Sequence, residues 1–186
     1  MNKYKTLTKK GAAAYLQALE EIDWFSKAND DKTNVTARLE ELSNLPNSDN
    51  HYAYALKSWL LDYEDYEFDD DSKTDLFREA CTIAGLEFVS VEFEDLGEDV
   101  NVKLTTDKGT NEYEVSADMM YQAPLLMEEV MNRLLPEDGN YFLVILAEDQ
   151  TVHYAFITLD LYFEAVEKGV IPEYKDYIEH IDNNYL

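Results

Sequence analysis

The apolar positions along this chain change period about half-way. Over the first half they recur at helical spacing. Tyr15, Leu19 and Ile22, with Leu16 and Phe25 beside them, predict a first helix, and Val35, Leu39 and Leu42 predict a second. Tyr52, Leu56, Trp59, Leu60 and Tyr63 form a third stripe, and Pro46, Asn47, Ser48 and Asp49 supply a turn and cap ahead of it. A fourth helix is expected from about Asp71 or Ser72, with Leu76, Phe77, Ala80, Cys81 and Ala84 apolar and Gly85 as its stop.

Beyond residue 86 the period falls to two. Val89, Val91 and Phe93 alternate with polar residues, as do Val100, Val102 and Leu104. The turn signal "TDKGTN" then leads into Tyr113 and Val115, so a three-stranded antiparallel meander is expected. Pro124 opens a further helix whose buried face is Leu126, Met127, Val130, Met131 and Leu134, ended by Pro136 and Gly139. The unbroken run "YFLVILA" reads as a strand covered on both faces, and "EDQ" as a turn into Val152–Leu159. Two short helices close the chain, one on Leu159, Tyr162, Phe163 and Val166, the other on Tyr174, Tyr177, Ile178 and Ile181.

This order is α+β. A helical N-terminal half (about 1–85) is expected to pack on a mostly antiparallel sheet of about five strands with interspersed helices (about 86–186), within one domain over 1–186. A parallel doubly wound sheet would need regular strand–helix alternation, which the two meanders deny.

Charge restricts the function classes. The formal net charge is −25, yet 46% of residues are hydrophobic, so the chain folds and presents a strongly negative surface. Such a field repels the phosphates of nucleic acid and anionic lipid and attracts basic proteins and cations, so direct nucleic-acid binding is not expected. The charge leans toward the sheet half: residues 1–85 carry 17 acidic and 10 basic side chains, residues 86–186 carry 23 and 5. No apolar run reaches the roughly 18–20 residues of a membrane span. The opening "MNKYKTLTKKGAAAYLQALEEIDWF" reads as an amphipathic first helix rather than a secretory signal, because Gln17 interrupts its apolar part and Glu20, Glu21 and Asp23 follow at once. With Cys81 alone no internal disulfide forms, and a cytoplasmic setting is expected.

Catalytic signatures are missing. All six glycines are isolated, so no glycine-rich phosphate loop exists, and five of them fall where caps and turns are needed; Gly11 is the exception. Cys81 lies on an apolar helix face and reads as a core residue, since a reactive thiol needs an exposed electropositive setting. His51, His153 and His180 are scattered, without a second ligand at metal spacing. Among 40 acidic residues some pair falls at catalytic separation by chance, so pairing carries no information. No catalytic residue, metal ligand or cofactor is therefore assigned, and the chain is not expected to be an enzyme.

Two acidic stretches remain. "LLDYEDYEFDDDSKTD" (60–75) holds eight carboxylates and one lysine, with Asp62, Tyr63, Glu64, Asp65, Tyr66, Glu67, Asp69, Asp70 and Asp71 as candidate partner-binding residues. It lacks the spacing and central glycine of a calcium loop. As a solvated inter-helix loop, Asp69–Asp71 would serve a helix N-terminus. As a surface, its tyrosines would supply buried area and its carboxylates would steer encounter with an Arg/Lys-lined cleft. "SVEFEDLGED" is the second candidate, through Glu92, Glu94, Asp95, Glu98 and Asp99, although charges at a strand edge also prevent edge pairing.

In size, charge and strings such as "WLLDYEDYEFDDD" and "VEFEDLGED", the chain resembles the small acidic immunity proteins that bacteria encode beside polymorphic or contact-dependent growth inhibition toxins. The resemblance is one of type and carries no residue over. It implies a stoichiometric inhibitor of a toxin domain, with carboxylates occupying a nuclease's basic cleft where phosphates normally sit. Two alternatives stand beside it: a nucleic-acid mimic that occupies a DNA- or RNA-binding protein, and an enzyme using a carboxylate-bound divalent metal.

Overall fold

The computed structural model describes residues 11–45, 51–62, 70–121, 126–135, 139–148 and 151–185. The chain divides into two compact units, Met1–Ser58 with Leu159–Leu186, and Trp59–Thr158. The second is one continuous stretch inserted between the two pieces of the first. The breaks fall after Ser58 and after Thr158, and the helix at 70–84 belongs with the strands.

The first unit is helical. It contains α1 (Ala12–Glu21), a short α2 (Trp24–Lys27), α3 (Lys32–Ser43), a 3₁₀ turn (Tyr52–Ala55) and, after the insertion, helices Leu159–Lys168 and Lys175–Asn184. Gly11 precedes α1 at φ +89, a left-handed conformation that suits glycine, which accounts for the glycine the sequence left unexplained. Asp31 caps α3 by accepting the N–H of Asn34 at 2.9 Å. Tyr15, Leu19, Ile22, Trp24, Val35 and Leu39 are buried, as their spacing predicts. The Tyr15 hydroxyl donates to the carbonyl of Val170 at 2.5 Å, and Lys27–Glu164 and Lys168–Glu21 bridge the two pieces of this unit at the surface.

The second unit contains β1 (Trp59–Asp62), α4 (Asp70–Ala84), β2 (Phe88–Asp95), β3 (Asp99–Thr106), β4 (Gly109–Ser116), a 3₁₀ segment (Ala117–Tyr121), a π-helical segment (Leu126–Met131) continued by one α-turn (Asn132–Leu134), β5 (Asn140–Ala147) and β6 (Thr151–Thr158). Its six strands form two three-stranded antiparallel sheets, ordered β1-β6-β5 and β2-β3-β4, rather than one sheet of about five. The chain is α+β, as the periodicity predicts.

The extra strand corrects the third expected helix. Tyr52–Ala55 make only a 3₁₀ turn, Leu56 is extended, and Trp59–Asp62 pair with β6. Leu61 is buried on that strand while Leu60 is half exposed, an alternation that helical phasing would not produce. Pro46–Asn50 and Tyr63–Asp69 lie outside the described residues. The next helix matches closely: α4 ends in a Schellman arrangement, Gly85 at φ +74, with Leu86 N–H donating to Cys81 C=O and Gly85 N–H to Thr82 C=O. On β5, Phe142–Leu146 are buried without a break, so both faces of that strand are covered as expected. Leu126, Val130, Met131 and Leu134 are buried as predicted, the first three on the π-helical segment and Leu134 on the α-turn after it, while the Met127 side chain, Pro124 and Pro136 lie outside what the structure describes.

Candidate binding surface

The β2–β3–β4 meander separates apolar from charged residues through its register. Cross-strand partners share a face. One face carries Val91, Phe93, Val100, Val102, Leu104, Tyr113 and Val115. Phe77 of α4 packs against Phe93 (ring centroids 5.9 Å), and Arg133 lies over Tyr113 (5.9 Å). The opposite face holds two cross-strand rows, Glu92–Lys103–Glu112 and Glu94–Asn101–Glu114. All four glutamates are exposed. In the first row opposite charges alternate, and Lys103 Nζ lies 3.8 Å from Glu112. In the second, an uncharged amide keeps the two carboxylates two strands apart, roughly 9–10 Å. Repulsion there is weak enough for the sheet to form, and the charge remains available to a partner.

The β2–β3 turn extends this surface. Leu96 N–H donates to Asp99 C=O at 2.9 Å, closing a two-residue loop of Gly97 and Glu98. Within that loop only Gly97 has positive φ (+98), a conformation that suits glycine. Asp95 accepts the Gly97 N–H at 2.8 Å, so this carboxylate braces the turn as well as carrying charge. Leu96, 50% exposed, stands at the tip beside exposed Glu98 and the half-buried Asp99.

The insertion concentrates the negative charge. Residues 59–158 carry 25 acidic and 5 basic side chains; the rest of the chain carries 15 and 10. Each of the five cations already has a partner within the unit. Lys73 lies over the Phe93 ring (5.6 Å), Arg78 over Phe88 (5.0 Å) while pairing with Asp75, Arg133 over Tyr113, Lys103 beside Glu112 and Lys108 beside Asp107. Among the described residues, Glu92, Glu94, Glu98 and Glu114 make no ion pair.

Of the candidate partner-binding residues, Glu92 and Glu94 project from the open sheet face, and Asp95, Glu98 and Asp99 form the turn beside it. Tyr63, Glu64, Asp65, Tyr66, Glu67 and Asp69 lie outside the described residues. Asp62 ends β1 and Asp70 begins α4, and Asp71 is exposed in the first turn of that helix. The sequence reading missed Glu112, Glu114, Asn101 and Leu96. A signal for the glutamates was present, because placing Tyr113 and Val115 inward requires Glu112 and Glu114 outward.

Other titratable groups sit apart from this face. Cys81 is buried on α4, and burial with the nearby Asp107 carboxylate pushes its thiol up to about 11, consistent with a core residue. Burial lowers the His153 imidazole, with the Glu148 carboxylate opposing. Burial, with Glu129 adding repulsion, raises Glu128 to about 8. No group of three or more His, Cys, Asp or Glu side chains among the described residues could hold a metal ion, and no described helix is long and apolar enough to cross a membrane. Comparison with protein-family models, with curated proteins and with solved structures finds no match.

Proposed function

We propose that this chain is a binding protein that captures and neutralises a basic partner, a cognate bacterial toxin domain of nuclease-like charge, in the cytoplasm. One observation carries the reading: the 59–158 unit holds 25 acidic side chains against 5 basic ones that are all engaged internally, and on its sheet face Glu92, Glu94 and Glu114 make no ion pair among the described residues. Charge arranged in this way steers encounter and favours a partner of opposite sign. Leu96 at the tip of a braced turn adds apolar area that is already in place, so little ordering is needed on binding. The acidic stretch 62–71, most of which lies outside the described residues, is the second candidate by composition.

The test uses the protein encoded next to this chain as partner and an unrelated protein of similar positive charge as control. Association with the neighbour is expected to be fast at low salt and to slow steeply as salt rises, while dissociation changes little. Glu92→Gln, Glu94→Gln and Glu114→Gln together should slow association, and Leu96→Ala should speed dissociation. Equal binding to both proteins would reduce the chain to a nonspecific polyanion and sink the proposal. A bound neighbour that is not toxic, and whose DNA or RNA binding the chain blocks, would move the reading to the nucleic-acid mimic.

A further inference from the structure

Asn132 is a polar residue in an apolar setting. It is 2% exposed, directly follows the π-helical segment and has Met131 and Leu134 buried beside it. A buried amide is costly unless its groups are bonded. Here both are, and to a single residue: Asn132 Nδ2 donates to the carbonyl of Phe142 at 3.0 Å, and Phe142 N–H donates to Asn132 Oδ1 at 2.7 Å. The side-chain amide thus offers the same donor and acceptor that a neighbouring strand would offer.

The position of Phe142 gives this contact its meaning. In the order β1-β6-β5, β5 is an edge strand. Phe142 sits opposite Phe156 of β6, their rings 4.8 Å apart, and turns both backbone groups away from β6 toward Asn132. Those are the groups through which an edge strand recruits another strand. The strand itself, "YFLVIL", has high β-propensity and no charge, proline or glycine, the composition of a self-pairing segment. A second copy of the chain carries the same edge, and two such edges, once uncovered, can pair antiparallel about a two-fold axis.

We propose that Asn132 is a side-chain seal on the β5 edge, which keeps this strand from pairing with the same strand of a second copy of the chain. The inference is independent of the acidic face and of its partner. Asn132→Ala removes both bonds without adding bulk. It is expected to make the full chain self-associate with rising concentration in sedimentation velocity, beyond the wild type, and to speed hydrogen exchange of the Phe142 amide about tenfold. Val102→Ala, in the core of the other sheet, controls for general loss of stability. Asn132→Ser, whose hydroxyl can serve one of the two backbone groups, should fall between alanine and wild type, and it carries the test if the alanine variant does not fold. The proposal is overturned if the folded Asn132 variants match the wild type in association and Phe142 exchange, or if Val102→Ala associates as strongly as they do.

Discussion

Asp30 offers a quantitative test of how the first unit is held together. It lies between α2 and α3, after Asn29 in the left-handed region (φ +49), and is 9% exposed. One carboxylate oxygen accepts two bonds, from the indole N–H of fully buried Trp24 at 3.1 Å and from the backbone N–H of Lys57 at 2.8 Å. Lys57 also reaches back to the carbonyl of Asn29 at 3.3 Å. Hydrogen bonds to a charged group contribute about 1.5–3 kcal/mol each, and a donor left buried without an acceptor costs about 1–3 kcal/mol. Asp30→Ala removes both bonds at once, and partial access of water to the site softens the loss, so about 3–4 kcal/mol is expected. Asp30→Asn keeps a neutral oxygen and should lose about 1–2 kcal/mol. Relief of self-repulsion works in the opposite direction, since either change removes one negative charge from a chain at −25. The assay is urea unfolding followed by tryptophan fluorescence in a Trp59→Phe background, where Trp24 reports on its own unit. An Asp30→Ala variant within about 0.5 kcal/mol of that background, or Ala and Asn variants of equal stability, would refute the reasoning.

Four further outcomes are expected. Gly97→Val should cost about 1–2 kcal/mol in urea unfolding, because the backbone holds positive φ there, whereas Glu98→Val should cost much less. At a net charge of −25 the melting temperature is expected to rise with sodium chloride as self-repulsion is screened; Glu92→Gln with Glu94→Gln and Glu114→Gln should flatten that rise, and an unchanged salt slope would show that this face adds little to self-repulsion. Glu128 binds its proton more tightly in the folded state, about 8 against an ordinary value of 4.5, so folded molecules hold more protons between those limits. Stability therefore falls as pH rises through that window and levels off above it. Glu128→Gln should remove this part of the fall, and an identical pH profile for the two proteins would contradict the assignment. Cys81 should resist a thiol reagent in the native protein and react fully in urea; rapid native labelling would show that α4 opens.

Much of the architecture is local and was legible from residues alone. The alternation in 100–104 and 113–115 and the Gly97 turn specify the meander, because each strand has one face to bury and a one-residue slip would expose it. Cap chemistry likewise marked the end of α4 at Gly85. The negative surface follows from composition, since a chain with 25 more acids than bases has nowhere else to put them. Other features depended on neighbours distant in sequence. The apolar positions from Tyr52 to Leu61 satisfy a helix or a strand, and pairing with β6, about ninety residues further on, decided for the strand. Val89 fits the inward alternation of β2 but is 59% exposed, because a bulge between Phe88 and Ser90 shifts the parity and leaves Phe88 under Arg78. Two properties of the acidic unit also required tertiary structure. Glu112 and Glu114 joined Glu92 and Glu94 on one face only when β3 aligned their strands, and Asn132 became a seal only when β5 came to rest as an edge beside it. Local periodicity sets which side of an element faces inward, whereas the partner across a sheet is chosen by chain closure over long separations, a choice that no short window of residues contains.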